Sequence, residues 1–162
     1  MNRFKLALIV IINVLLQASI FSRINIYGGG ANLSLPIIVA ISMMTGQIQA
    51  SYTSLTIGLS EDIAFGGILG IRALVYFIFA FLISKMARSE KFNKFYGMLT
   101  VFTLSILSFI SISLIEILMG KSVNIFKYLM GPLFFEALFN SVLFLLVYRI
   151  LMLGKDSRRR LI

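Results

Sequence analysis

The sequence predicts an all-α integral membrane protein, a bundle of six transmembrane helices with both termini in the cytoplasm. Three observations predict it. Hydrophobic residues make up 59% of the 162 residues and mean hydropathy is +0.99, against ~45–50% apolar in a soluble domain. One core of this size cannot bury that much apolar surface, so part of the solvent is lipid. The apolar residues fall in long unbroken runs separated by short charged or glycine-rich breaks. Such runs do not alternate as barrel strands do, and a lipid-spanning segment that is not in a barrel must be helical to pair its own backbone. Finally, the 15 Lys and Arg residues are unevenly placed among those breaks, against 6 Asp and Glu.

The first span, 6–22, follows Arg3 and Lys5. It resembles a signal peptide, but further apolar runs follow where the chain should turn polar, so an uncleaved helix is expected. Between Arg23 and Glu61 no charge occurs. Tyr27-Gly28-Gly29-Gly30 reads as a loop. The rest holds two short spans, 32–45 and 50–64, with a tight turn around Gly46–Gln49. Each falls below the ~20 residues of an untilted crossing. They either thin the bilayer locally or are covered by neighbouring helices. The fourth span, 70–86, carries Arg72 near its start, and the charged stretch from Lys85 to Lys94 is a loop. The fifth and sixth spans are 95–119 and 131–153, joined by a polar connection, and 154–162 is a basic cytoplasmic tail. The chain is one transmembrane domain.

Orientation follows from the positive-inside rule. With six spans, Arg3, Lys5, Lys85, Arg88, Lys91, Lys94, Arg149, Lys155 and Arg158–Arg160 share one side, leaving Arg23, Arg72, Lys121 and Lys127 on the other. The first side is therefore cytoplasmic. Merging the second and third spans would put the basic loop and the basic tail on opposite sides. The tail reads as a stop-transfer flank, or as a contact for anionic membrane lipids. The net charge of +9 is thus a topology signal. No basic run is interleaved with aromatics, and no nucleic-acid binding is expected.

The chain has no Cys and no His. That removes disulfides, thiol chemistry and the usual nucleophilic triads, together with the commonest metal ligands. No enzyme activity, cofactor or metal site is expected.

Polar groups inside apolar spans need a reason, since a charge at mid-bilayer costs about 2.5–3.5 kcal/mol on insertion scales. Ser54, Gly58 and Asp62 stand at i, i+4, i+8 and share one face of the third helix, with Glu61 about 100° around it. Arg72 follows a glycine-rich break and is placed to return and pair with Asp62 or Glu61, or to join them in holding a ligand. Gly66 and Gly70 have the GxxxG spacing of close helix contacts; a turn is the reading favoured here, because glycine accepts positive φ. In the sixth span Pro132, Glu136 and Asn140 are four residues apart, and their face should point into the bundle, either toward an internal partner or a binding site. Glu116, near the end of the fifth span, is interfacial, and Ser105, Ser108, Ser111 and Ser113 are packing residues.

Gly58-Leu59-Ser60-Glu61-Asp62, followed by Gly66, then Leu69-Gly70-Ile71-Arg72-Ala73-Leu74, resembles the MreD family of bacterial rod shape-determining proteins. That family carries G-L-x-x-D, then a G-x-x-L-G turn and a new apolar span. Leu129 to Tyr148, with Glu136 before Asn140, is similar to its last helix. Length, span count and basic tail agree. Ile68 stands where the family commonly has Pro, and Ala31-Asn32 where it often has Pro-Asn or Pro-Asp. The resemblance implies a non-enzymatic scaffold of the cell-elongation machinery in the cytoplasmic (inner) membrane. It also implies that the scaffold binds the membrane helix of MreC. Through MreC it acts with the actin-like MreB and with the polymerase and transpeptidase pair that builds lateral peptidoglycan. The fold it implies is similar to that of substrate-binding subunits of energy-coupling-factor transporters. The alternative is therefore a small-molecule-binding transporter subunit, with Arg23, Tyr27 and Lys121 near its ligand.

Overall fold

The computed structural model describes residues 3–26, 29–65, 68–88, 93–120, 125 and 131–156. Among them are six α-helices: α1 (Arg3–Ser19), α2 (Ser34–Met44), α3 (Gln47–Phe65), α4 (Ile71–Met86), α5 (Lys94–Leu118) and α6 (Pro132–Asp156). Each predicted apolar segment folds as one helix. A single 3₁₀ turn, Phe21–Arg23, follows α1. The stretch expected to be plain loop contains a small antiparallel ribbon, β1 (Asn25–Ile26) with β2 (Gly29–Gly30), paired Asn25 to Gly30 and Ile26 to Gly29. It marks one end of the bundle, called here the ribbon end. The two-residue turn between α2 and α3 marks the other, the turn end.

Among the described residues, three helical stretches are long and apolar enough to cross a membrane: Phe4–Arg23, Lys94–Leu118 and Pro132–Leu153. The others depart from that description for physical reasons. With 11 residues, α2 rises only about 16 Å, roughly half the ~30 Å hydrocarbon core. Of the two solutions open to a short span, the structure shows covering by neighbours. Nine consecutive residues of α2, Ser34 to Ser42, are buried, and Val39, Ala40 and Ile41 are wholly inaccessible. This helix is the axis of the bundle. A helix that is apolar all round belongs in such a place. In contrast, α3 is 19 residues long, about 28 Å, but carries hydroxyls and two carboxylates on its packed side.

Most of the remaining interior surrounds α2. Leu35, Ile38 and Ile41 pack with Ile57, Val75, Tyr76 and Ala80 of α3 and α4. Val39 and Ala40 pack with Val101, Leu104 and Phe144 of α5 and α6. The outer faces are as apolar as the inner ones. Leu8, Ile11, Ile12 and Leu15 of α1 and Leu138, Val142, Leu145 and Leu146 of α6 are exposed. A contiguous surface of this kind is stable only against lipid or another membrane protein.

The α3–α4 hairpin is the tightest joint. A Cβ placed on Gly58 would lie 2.5 Å from Ala73 Cα and 2.6 Å from its backbone nitrogen. Only glycine lets the two backbones approach so closely, the general device of helix pairs in lipid. Gly70 plays the other part predicted for a glycine. Its φ is +97°, it sits immediately before α4, and a Cβ there would meet nothing within 4 Å. It is a turn residue, and the close approach lies at Gly58. Gly66, its partner in the GxxxG spacing, lies outside the described residues.

Candidate functional site

Lipid supplies no hydrogen bonds, so a polar side chain in the bundle must find its partner inside. At the ribbon end they do so along one continuous path. Asn13 of α1 donates from Nδ2 to Ser34 Oγ of α2 at 2.8 Å. The Ser34 hydroxyl donates in turn to Glu61 Oε1 of α3. Tyr76 of α4 donates to Glu61 Oε2 at 3.0 Å, so both carboxylate oxygens accept. Tyr76 accepts from Asn32 Nδ2 at 3.2 Å. The Asn32 backbone N–H donates to Asn140 Oδ1 of α6 at 3.0 Å. Asn140 Nδ2 donates to Ser105 Oγ of α5 at 3.1 Å, and Ser105 closes on the Val101 carbonyl at 3.0 Å. One path thus ties all six helices together. Glu61, Tyr76, Asn13, Ser34, Asn140 and Ser105 are each 0–2% exposed along it.

Local sequence explains why the path can form. Asn32 breaks the chain into α2 by accepting the N–H groups of Ser34 and Leu35 at 2.9 and 3.4 Å. This is the Asx device that opens helices. Gln17, one turn beyond Asn13 on α1, clamps the same segment. It donates to the Ala31 carbonyl at 3.1 Å and accepts from Leu33 N–H at 2.8 Å. The start of the central helix is therefore held by its own Asn and by a neighbour's amide.

The two adjacent carboxylates do different work. Glu61 turns inward to the hydroxyls of α2 and α4. Asp62 turns to the end of its own hairpin, accepting Gly70 N–H at 2.8 Å and pairing with Arg72 Nη1 at 3.2 Å. The Arg72 side chain is 28% exposed and that of Asp62 fully buried. Of the two partners offered to Arg72 by the sequence, Asp62 is the one it meets. Fixing the turn and neutralising a charge beside it, the pair makes α3 and α4 one unit.

Other predicted residues divide. Asn140 finds partners inside the bundle, on the face where the helical spacing put it. Glu136, one turn earlier on that face, finds none among the described residues: it lines a cavity with Gln17, Phe21, Asn32, Glu61, Phe65 and Arg72. Pro132 opens α6, where its missing N–H costs nothing. Glu116 is half-buried in the last turn of α5 and is not among the cavity residues. Ser105 and Ser108 bond the carbonyls of Val101 and Leu104, and Ser105 also accepts from Asn140. Arg23 is exposed at the end of the 3₁₀ turn. Tyr27, Lys121 and Arg158–Arg160 lie outside the described residues. Tyr76, Ser34, Asn32, Asn13 and Gln17 were not singled out from sequence. Asn13 and Gln17 did carry a signal: two amides at i, i+4 in an otherwise apolar span, which is the pattern used above for α6.

Chemically, the path is one of mutual satisfaction but for Asn13 Oδ1, which is buried with no partner among the described residues. Hydroxyls and amides meet a carboxylate in a closed interior, and among the described residues no group of three or more His, Cys, Asp or Glu side chains could hold a metal ion. A helical bundle with apolar outer faces and a hydrogen-bonded polar interior is an integral membrane protein held together by buried polar contacts. A protein-family model, rod shape-determining protein MreD, matches residues 1–153. The chain belongs to the MreD family, and is thereby a membrane protein of cell-shape determination. No curated protein and no solved structure matches it.

Proposed function

We propose that the chain is a non-enzymatic scaffold of the cell-elongation machinery, holding the membrane helix of MreC in the plane of the inner membrane. In this role it supports lateral peptidoglycan synthesis through MreC, MreB and the polymerase and transpeptidase pair. The observation that carries the reading is the family match over residues 1–153. The proposal includes six crossings, with α2 carried inside the bundle, and both termini in the cytoplasm, as the Lys and Arg distribution requires.

Association within lipid draws on close packing, because lipid tails offer no hydrophobic drive. The groove between α4 and α5 suits a partner helix. It has a volume of about 680 Å³ and is walled by Phe79, Leu82, Met86, Leu99 and Leu107, among others. Its two threonines, Thr100 and Thr103, already bond the carbonyls of Tyr96 and Leu99. Apart from the Tyr96 hydroxyl, the rest of the groove wall is apolar.

Co-purification with MreC in mild detergent tests the reading. The two proteins should co-elute, and the complex should disappear when the MreC membrane helix is replaced by an unrelated apolar helix. Leu107→Trp should weaken it about tenfold by filling the groove. Failure to co-elute would overturn the scaffold reading. A complex indifferent to the replaced helix would remove the membrane-packing mechanism.

A further inference from the structure

The ribbon-end cavity has a chemistry the hydrogen-bonded path does not use. Its volume is about 300 Å³, at the lower end of the ~300–1,000 Å³ typical of small-molecule sites. Its lining comes from the ends of α1, α3, α4 and α6, from the 3₁₀ turn, and from the segment Gly30–Asn32 that leads into α2.

Two unlike charges line this space without meeting. Arg72 spends one nitrogen on Asp62, and a guanidinium carries five N–H donors, so most of its donors remain open. Among the described residues Glu136 has no hydrogen-bond or ion-pair partner. Charges inside a membrane protein pair with one another as a rule. Here a carboxylate unpaired among the described residues and a largely open guanidinium share one small cavity, and the ion pair that Arg72 makes is with a different residue. Glu61 on the same wall is already occupied by Ser34 and Tyr76. Phe21 and Phe65 supply apolar lining beside them.

We propose that this cavity binds a small zwitterion of amino-acid size, its ammonium group on Glu136 and its anionic group on Arg72. A simple cation would satisfy Glu136 and leave the Arg72 donors open. A simple anion would satisfy Arg72 but would face Glu136 and Glu61 across the cavity. Only a ligand carrying both charges completes both walls, and the volume limits the body between them.

The test uses the purified full-length chain in mild detergent, with thermal unfolding followed by circular dichroism. Free L- and D-amino acids are the probes. At least one should raise the unfolding midpoint with concentration, by on the order of 5 °C at saturation. For the best probe, the matched amine lacking the carboxylate and the N-acetylated acid lacking the ammonium should each bind at least tenfold more weakly. Glu136→Gln should abolish the shift while leaving the ligand-free midpoint and elution volume unchanged. The proposal is overturned if no amino acid shifts the midpoint. It is overturned equally if the amine alone binds as well as the zwitterion, which would mark a cation site, or if Glu136→Gln retains the full shift. The comparison of probes needs no variant, so it stands even if Glu136→Gln fails to fold.

Discussion

The two ends of the bundle treat buried polar groups in opposite ways. At the ribbon end, Asn13 Nδ2, Ser34, Glu61, Tyr76, Asn140 and Ser105 form one connected path. Toward the turn end, the hydroxyls of Ser42, Ser51, Ser54 and Ser84 are buried with no hydrogen-bond partner among the described residues, where the ribbon end leaves one such atom, Asn13 Oδ1. The turn-end hydroxyls all come from α2, α3 and α4, and those helices also supply Ser34, Glu61 and Tyr76 to the path. A carboxylate or an amide left without a partner in low dielectric is very costly, and one unmatched member weakens a whole network. A lone hydroxyl costs less, and serine is small enough to let backbones approach. The ribbon end is thus built on hydrogen bonds and the turn end on small volume.

Removing the hub of the first end should do the most damage. Glu61→Ala takes away the acceptor of two hydroxyls, Ser34 and Tyr76, and leaves both buried. The expected loss is about 3–5 kcal/mol, read from detergent-titrated unfolding of the purified chain. A loss below about 1 kcal/mol would mean that the network is ornamental. The next largest effect tests the packing side. Gly58→Ala drives a methyl against the Ala73 backbone, which cannot rotate away as a side chain would. About 2–3 kcal/mol should be lost, and the α3–α4 hairpin should open first in hydrogen exchange.

How much of this was legible follows the same division. Charges in apolar runs announced Glu61, Asp62, Arg72 and Glu136, because lipid makes each of them expensive. The turn at Gly70 was legible from the need for positive φ. The i+4 spacing put Asn140 on an inward face, and the structure seats it there. By contrast, Tyr76 was hidden: in a span rich in aromatics nothing marks the one tyrosine whose hydroxyl points at a carboxylate. Asn13 and Gln17 obeyed the same rule as Asn140 and could have been read. The split between Glu61 and Asp62 could not, because two neighbours about 100° apart receive their partners from the tertiary fold. Burial of α2 was half legible. Its shortness said that it could not span unaided, and only the packing shows that its neighbours enclose it. That Glu136 meets no partner among the described residues was illegible too, since a helical face says where a group points and not what meets it.

A matched pair of serine substitutions separates the two ends with the least change in volume. Ser34→Ala removes a hydroxyl that accepts from Asn13 and donates to Glu61, leaving an amide and a carboxylate each short of a partner. About 1–3 kcal/mol should be lost. Ser84→Ala removes a hydroxyl of the same size from an equally closed site, but one with no partner to strand. Replacing an unsatisfied polar group by an apolar one of similar shape is nearly neutral or stabilising, so the change should lie within about 0.5 kcal/mol of zero. The informative quantity is the difference between the two variants under the same detergent conditions, because the chemical change is identical and only the surroundings differ. If Ser84→Ala cost as much as Ser34→Ala, the turn-end hydroxyls would have to be bonded through buried water, and both ends would then be held by polar contacts. If both were neutral, burial of the path would stabilise nothing, and the close joint at Gly58 would be left as the feature that holds α3 to α4.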